Sequence, residues 1–176
     1  MTGSGLEIER KWLLAEPPSA AELRSLGARA IRIEQIYLRP TPGAPVRRVR
    51  SSLLDGRTTW TYTEKAAVAG IVREERERAI DVAEYTRLLD EADADRHPIR
   101  KTRHVFPYAG NTLELDVFEQ PPGLVVLEIE FDRADAPEPG LPPELRVVRE
   151  VSTDPAYLNV NLARGEPADH RTRSRS

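Results

Sequence analysis

LEIERKWLL, residues 6–14, alternates apolar and charged side chains with a period of two. In a β-strand successive side chains leave on opposite faces, so Glu7, Glu9 and Lys11 share one face against Leu6, Ile8 and Trp12. The same pattern recurs along the chain. LVVLEIEFD at 124–132 sets Val126, Glu128 and Glu130 against Val125, Leu127, Ile129 and Phe131. TLELDVFE at 112–119 sets Glu114, Asp116 and Phe118 against Leu113, Leu115 and Val117. Arg48 and Arg50 flank Val49, Lys101 and Arg103 share a parity, and Lys65 follows Thr61 and Thr63. In 71–80 Arg73, Glu75 and Glu77 share a parity, although both faces of that segment are charged.

On one strand this alternation describes a solvated sheet face with salt bridges. Its recurrence with both signs argues for more, because like charges on one face repel unless an opposite charge reaches them. If these faces line one enclosed space, the carboxylates suit a hard divalent cation and the guanidinium and ammonium groups suit phosphate oxygens. A ligand that needs both at once is a metal-bound polyphosphate.

The remaining elements follow from local signals. Met1 to Gly5 read as a loose start. PPSAAELRSLG at 17–27 reads as a helix with Ser19 as N-cap and Gly27 as its stop. Residues 31–39 read as a strand that ends in the PTPGAP loop at 40–45. Residues 46–53 and 57–65 read as a hairpin about Asp55-Gly56, a strong hairpin signal. Residues 66–70 (AAVAG) read as a loop and 71–80 as a strand. Asp81 to Glu84 is a capping box that starts a helix to about Asp95, with Tyr85, Leu88, Leu89 and Ala92 on one face. Strands follow at 99–107, 112–119 and 124–132, with Ala109-Gly110-Asn111 as a turn. Residues 133–145 are too proline-rich for a regular helix, and 147–151 suggest a short last strand. Asp154-Pro155 caps a short helix through Leu162. About eight strands and two or three helices make a barrel or a sandwich.

Composition narrows the chemistry. The 176 residues make one domain by length, here 1–163, followed by a basic, disordered tail at 164–176. There is no cysteine, so disulfides and thiolate metal sites are excluded. The three histidines, His97, His104 and His170, are not at ligand spacing, which leaves carboxylates and Mg²⁺ or Mn²⁺ over zinc. Charged residues are 31% of the chain at a net charge of −3, without the basic field of a nucleic-acid binder. No apolar run suggests a membrane span or secretory signal, so a cytoplasmic protein is expected. The sequence leaves the oligomeric state open.

With these residues in place, the chain resembles the CYTH, or triphosphate tunnel metalloenzyme, superfamily. Glu7-Ile-Glu9-Arg-Lys11 looks like its ExExK signature. Arg48-Val-Arg50, Thr63-Glu-Lys65, Arg73 to Glu77, Lys101-Thr-Arg103, Glu114 to Phe118 and Leu127 to Phe131 follow in family order. The resemblance covers roughly 6–163 and is closest to the short, single-domain bacterial members. It implies a mainly β (α+β) fold, an eight-stranded antiparallel closed barrel forming a tunnel with a few flanking helices. It implies that Glu7, Glu9, Glu75, Glu77, Asp116, Glu128 and Glu130 hold one or two divalent cations. Lys11, Arg48, Arg50, Lys65, Arg73, Lys101 and Arg103 would bind the phosphates, and Glu9, Lys101 and Glu130 are the positions assigned to catalysis. Glu114, Gln35 and Tyr37 share the tunnel parity. There is one departure: Asp154-Pro-Ala-Tyr157-Leu-Asn159-Val-Asn161 carries no Lys or Arg where family members often do.

The expected activity is metal-dependent hydrolysis of a small-molecule triphosphate, inorganic tripolyphosphate foremost, releasing orthophosphate. The alternatives are other triphosphate chemistry on the same fold (adenylate cyclase, thiamine triphosphatase, nucleoside triphosphatase) and a non-catalytic polyphosphate- or nucleotide-binding module. A barrel held only by internal salt bridges is disfavoured, since burying so many unliganded charges is costly.

Overall fold

The computed structural model describes residues 2–133 and 135–165. Among the described residues nine strands occur in the order β1 (Thr2–Leu14), β2 (Arg29–Tyr37), β3 (Val46–Leu54), β4 (Arg57–Ala69), β5 (Val72–Ile80), β6 (Ile99–Tyr108), β7 (Asn111–Gln120), β8 (Val125–Phe131) and β9 (Val147–Glu150). Helix α1 (Ala20–Ser25) lies between β1 and β2, α2 (Val82–Leu89) between β5 and β6, and α3 (Asn159–Leu162) after a 3₁₀ turn at Pro155–Tyr157. The sheet runs β5-β4-β3-β2-β6-β7-β8-β1, and β1 pairs back onto β5, closing an antiparallel eight-stranded barrel. β9 adds to β1 outside the closed ring.

The turns form where the sequence places them. Asp55 and Gly56 both adopt positive φ, as a two-residue hairpin whose twist matches its strands requires. Ser19 accepts from the Glu22 N–H while the Glu22 carboxylate accepts from the Ser19 N–H, a complete capping box. Asp81 caps α2 through the Glu84 N–H, but the reciprocal half is absent, because the Glu84 carboxylate is taken by Arg78.

Three expectations are corrected. The expected loose start is strand, since residues from Thr2 on pair with Arg78 to Val72 of β5. The expected loop at 66–70 is strand to Ala69, because Ala66 and Ala67 have Glu74 and Arg73 as partners. The helix expected to reach Asp95 ends at Leu89. Beyond it Leu38 bridges Ala92 and the Asp93 N–H donates to the Tyr37 carbonyl, so the barrel edge captures this backbone before the helix can continue. The tail is outside the described residues from 166 on.

Two apolar layers clothe the outside. Trp12, Leu14, Phe106, Leu113, Leu115, Val125, Leu127 and Ile129 pack with Leu145 and with Leu23 and Leu26 of the α1 region. Leu38, Val49, Tyr85 and Leu88 pack under α2. The third layer lies inside one end of the barrel. There Leu13, Tyr37, Ile99, Phe118 and Val126 continue the lumen parity and meet Val151, Tyr157 and Leu162 from the C-terminal segment. β1, β6, β7 and β8 thus carry charged side chains inward at mid-length and apolar ones inward at one end, and these, with Tyr37 of β2 and the C-terminal segment, plug that side of the end. Among the described residues no helix is long and apolar enough to cross a membrane.

Candidate active site

Strand order sorts the inward charges into two halves. Four adjacent strands carry the carboxylates: Glu75 and Glu77 on β5, Glu7 and Glu9 on β1, Glu128 and Glu130 on β8, Glu114 and Asp116 on β7. The other four run β6-β2-β3-β4 and carry Lys101 and Arg103, Gln35 and Tyr37, Arg48 and Arg50, and Lys65. Lys11 and Arg73 are the cations set within the acidic half. On β5 the uncertain phase resolves with Arg73, Glu75 and Glu77 toward the lumen and Glu74 and Arg76 exposed.

The lumen forms a charged chamber of about 160 Å³ lined by Glu7, Glu9, Arg48, Arg50, Lys65, Glu75, Glu77, Arg103, Glu114, Glu128, Glu130 and Asn159. It opens toward the plugged end into a vestibule of about 210 Å³. There Lys11, Tyr37 and Arg73 join Val46, Ala67, Ile71, Ser152, Leu158 and Val160. Toward the other rim, Glu114 and Glu130 also line a recess with Asp132. The C-terminal segment does wall one mouth, and its wall there is neutral.

Cross-strand register places several opposite charges together. Lys65 lies against Glu7 and 3.1 Å from Glu75, and Arg48 is 3.6 Å from Glu75. Lys11 bridges Glu9 at 3.0 Å and Glu128 at shorter range. Two register pairs are like-charged: Glu9 stands opposite Glu130, and Glu114 opposite Glu128. Arg103 spans the second, reaching Glu114, Asp116 and Glu128. Nothing spans the first, since among the described residues Glu130 makes no ion pair.

Lys101 and Asp116 sit behind the chamber wall. Both side chains are 0% exposed and bound to each other, and Asp116 also accepts from Arg103 Nε at 2.8 Å and Nη2 at 2.7 Å. The expected phosphate contact and catalytic role of Lys101, and the expected metal contact of Asp116, therefore fall on a pair that does not line the open space. Their position suits holding the Arg103 guanidinium. Burial pushes the Lys101 ammonium down to about 8 against the opposing pull of Asp116.

The other titrations report the same crowding. Burial, then the neighbouring Glu128, raises the Glu9 carboxyl to about 7. Burial also opposes the charge on Glu128, but Lys11, Lys101 and Arg103 outweigh it and hold that carboxyl well below the usual range. Burial and the nearby Arg48 and Arg103 lower Arg50 to about 10. Burial, Glu7 and Glu114 raise Glu130.

Several buried polar atoms have no hydrogen bond: Glu7 Oε2, Glu75 Oε2, Arg48 Nε, Arg50 Nε, Thr61 Oγ1 and Asn159 Oδ1. The Lys65 contacts to the two carboxylates are charge contacts without hydrogen-bond alignment. Buried polar groups are normally satisfied, and five of these six belong to residues lining the chamber, so the vacant hydrogen-bonding capacity is concentrated where a ligand would sit. Among the described residues no three carboxylates or imidazoles already converge on a metal-sized point. With lysines and arginines as partners, the glutamates are drawn to those cations. Sequence reading missed Asn159, Ser152 and Thr61. A neutral polar side chain leaves no mark in a charge pattern, although Thr61 shares the parity of Lys65.

No family model matches the chain. An inorganic triphosphatase of Acetivibrio thermocellus is 37% identical over 105 residues, 58% of this chain and 64% of that protein, so the match spans less than two thirds of that relative. Among solved structures, the inorganic triphosphatase NE1496 superposes with a TM-score of 0.59 at 30% identity, covering 92% of this chain and 96% of that one. PH1819 of Pyrococcus horikoshii, at 24% identity and a TM-score of 0.53, shares the fold. A relative 30% identical and matched across nearly the whole of both chains settles the family: the chain belongs to the CYTH, or triphosphate tunnel metalloenzyme, superfamily.

Proposed function

We propose that this protein hydrolyses a triphosphate, with inorganic tripolyphosphate as substrate and a divalent cation, Mg²⁺ or Mn²⁺, as cofactor. The observation that carries the reading is the two-halved lumen, acidic strands facing basic strands across a chamber lined by buried oxygens and guanidinium nitrogens that lack hydrogen bonds. A salt-bridged core would interleave the signs. Segregated signs suit a ligand that is a polyanion on one side and a metal cation on the other.

The donor set fits a hard cation. Glu9 and Glu130 oppose each other without a cation between them, and Glu7 Oε2 and Glu75 Oε2 lack hydrogen bonds. Glu7, Glu9 and Glu130, with Glu75 and Glu77 beside them, are the ligands this supports. A divalent ion held there supplies charge for the phosphate oxygens and lowers the pKa of a nearby water.

The chain's own groups do the rest. Arg48, Arg50, Lys65 and Arg103 hold the phosphate oxygens and offset charge on the transferring phosphoryl group. Arg73 and Lys11 extend that hold into the vestibule. Glu9 or Glu130 orients the attacking water and takes its proton. Water attacks the terminal phosphorus, the P–O–P bond breaks, and orthophosphate leaves with pyrophosphate.

One observation favours a second reading. The apolar vestibule wall of Val46, Ala67, Ile71, Leu158 and Val160 has room for an organic group on the outer phosphate. Phosphate release with Mg²⁺ and with Mn²⁺ over tripolyphosphate, ATP and thiamine triphosphate separates the readings. Fast release from tripolyphosphate supports the first and preference for an organic triphosphate the second. Binding without release from any of the three refutes hydrolysis.

A further inference from the structure

Asn159 belongs to both spaces of the tunnel. Five residues line the inner chamber and the outer vestibule together: Glu7, Glu9, Arg48, Lys65 and Asn159. Four are ionisable, and Asn159 alone is not. Its Oδ1 is buried without a hydrogen-bond partner. The amide caps nothing, because the N-cap of α3 is Leu158 and makes no side-chain cap. Its neighbour Asn161 offers the contrast. That amide donates to the Pro155 carbonyl at 2.8 Å and so has a structural task.

The backbone carrying Asn159 is fixed from behind. The Asn159 carbonyl accepts from the Ala163 N–H at 3.0 Å. Arg96 Nη1 donates to the Val160 carbonyl at 3.1 Å, its Nε donates to Asp93 at 2.8 Å, and its guanidinium lies 5.4 Å over the Tyr37 ring. An amide held this firmly with a buried unsatisfied oxygen weakens the empty fold until a hydrogen-bonding group arrives. In a chamber of phosphate-binding cations, that group belongs to the ligand.

We infer that Asn159 is a ligand-contacting residue, whose amide binds the vestibule-side phosphoryl group of the substrate through hydrogen bonds and without charge. Nδ2–H donates to a non-bridging phosphate oxygen, and Oδ1 accepts from a P–OH or from a water ordered on the phosphate. The inference rests on the triphosphate reading and specifies its outer end, where the C-terminal segment offers this neutral contact and no lysine or arginine.

The test compares wild type, Asn159→Ala and Asn159→Asp in three measurements: tripolyphosphate turnover with Mg²⁺, calorimetric binding of tripolyphosphate in EDTA, and melting without ligand. For Asn159→Ala the expected result is a KM and a binding constant weakened about 3- to 10-fold, the weight of one neutral hydrogen bond, with kcat within about 2-fold. Its melting temperature should stay level or rise, because the unpartnered oxygen is gone. Asn159→Asp should bind tripolyphosphate more weakly still, since its carboxylate repels phosphate. Unchanged KM and binding in Asn159→Ala overturn the inference, as does a large fall in melting temperature with binding intact. If wild type binds tripolyphosphate but does not turn it over, hydrolysis fails while the binding arm still decides the role of Asn159. If wild type does neither, both fall.

Discussion

Asp116→Asn keeps the size of the side chain and removes the charge that balances a buried lysine. Lys101 and Asp116 are both fully enclosed. Arg103 also loses a partner but keeps Glu114 and Glu128. Lys101 keeps no other carboxylate within ion-pair reach among the described residues, only the Phe118 ring 5.1 Å away. The cost therefore falls on Lys101. Breaking one side of a buried pair typically costs about 3–5 kcal/mol, which for a domain of this size is a fall of about 6–20 °C in melting temperature. The pH dependence gives the signature. The native Lys101 pKa, about 8, is already below the ordinary 10.5, and losing Asp116 lowers it further. Between the native and the unfolded pKa the unfolded chain holds the proton and the native protein does not, so stability rises with pH across that window. The deficit of Asp116→Asn should be largest below the variant's lowered Lys101 pKa, shrink as pH rises toward 8, and level off above it, where the wild-type lysine has also lost its charge and both proteins gain stability at the same rate. Thermal melts of wild type and variant from pH 6 to 9.5 read this directly. Lys101→Met/Asp116→Leu should recover most of the loss, because an apolar pair of similar volume needs no compensation. An Asp116→Asn protein that melts within about 2 °C of wild type, less than about 1 kcal/mol, or whose deficit grows with pH, would refute the reasoning.

Excess EDTA should abolish phosphate release and Mg²⁺ or Mn²⁺ restore it; full turnover in EDTA would remove the metal from the scheme. Glu130→Gln should lower tripolyphosphate turnover about 10-fold or more and leave the metal-free melting temperature level or higher, since burial and the glutamates around it already disfavour its charge. A markedly lower melt with turnover retained would make Glu130 a structural partner. In EDTA the native Glu9 holds its proton up to about 7 while the unfolded chain releases it near 4.5. Glu9 thus stabilises the fold below about 4.5, and that contribution is lost as pH rises through about 7; Glu9→Gln should flatten this slope in melts from pH 4.5 to 7.5, and an unchanged slope would assign it elsewhere. Arg50→Ala should raise the KM for tripolyphosphate and leave the circular dichroism spectrum intact, because Arg50 is crowded by Arg48 and Arg103 and has an unpartnered Nε.

The barrel was legible because its lumen is charged. Alternation in β1, β7 and β8 separates Glu and Asp from Leu, Ile and Val, and one parity is enough to orient a strand. The Asp55-Gly56 and Ala109-Gly110 turns gave the hairpins, and both pairs adopt positive φ. The errors have particular causes. Ala66 and Ala67 have little strand preference of their own and are strand because β5 pairs with them. α2 stops at Leu89 because the barrel edge takes the backbone of 92–93, a tertiary contact invisible in a helical repeat. Parity told which side chains enter the lumen but not how deep they lie along it. Lys101 and Asp116 thus read like Arg48 and Glu130, although one pair is sealed and the other lines the cavity. Asn159 was hidden for a different reason, since its importance comes from an amide left without a partner.

The seam of the barrel has a consequence for how the chain is made. β1 leaves the ribosome before the rest of the barrel, yet its neighbours are β5 and β8, with Glu9 set against Glu130. Until residue 131 has emerged, one edge of this strand has no partner and the cylinder stays an open ribbon. Contacts so distant in sequence close slowly, because chain entropy is lost before pairing returns it. An unpaired edge is also where a half-made chain joins the wrong neighbour. The charges on β1 offer a safeguard. Glu7, Glu9 and Lys11 remain hydrated on a nascent ribbon, and stacking two such ribbons would bring their like charges together. The charges that later line the lumen can thereby keep unfinished chains apart during synthesis.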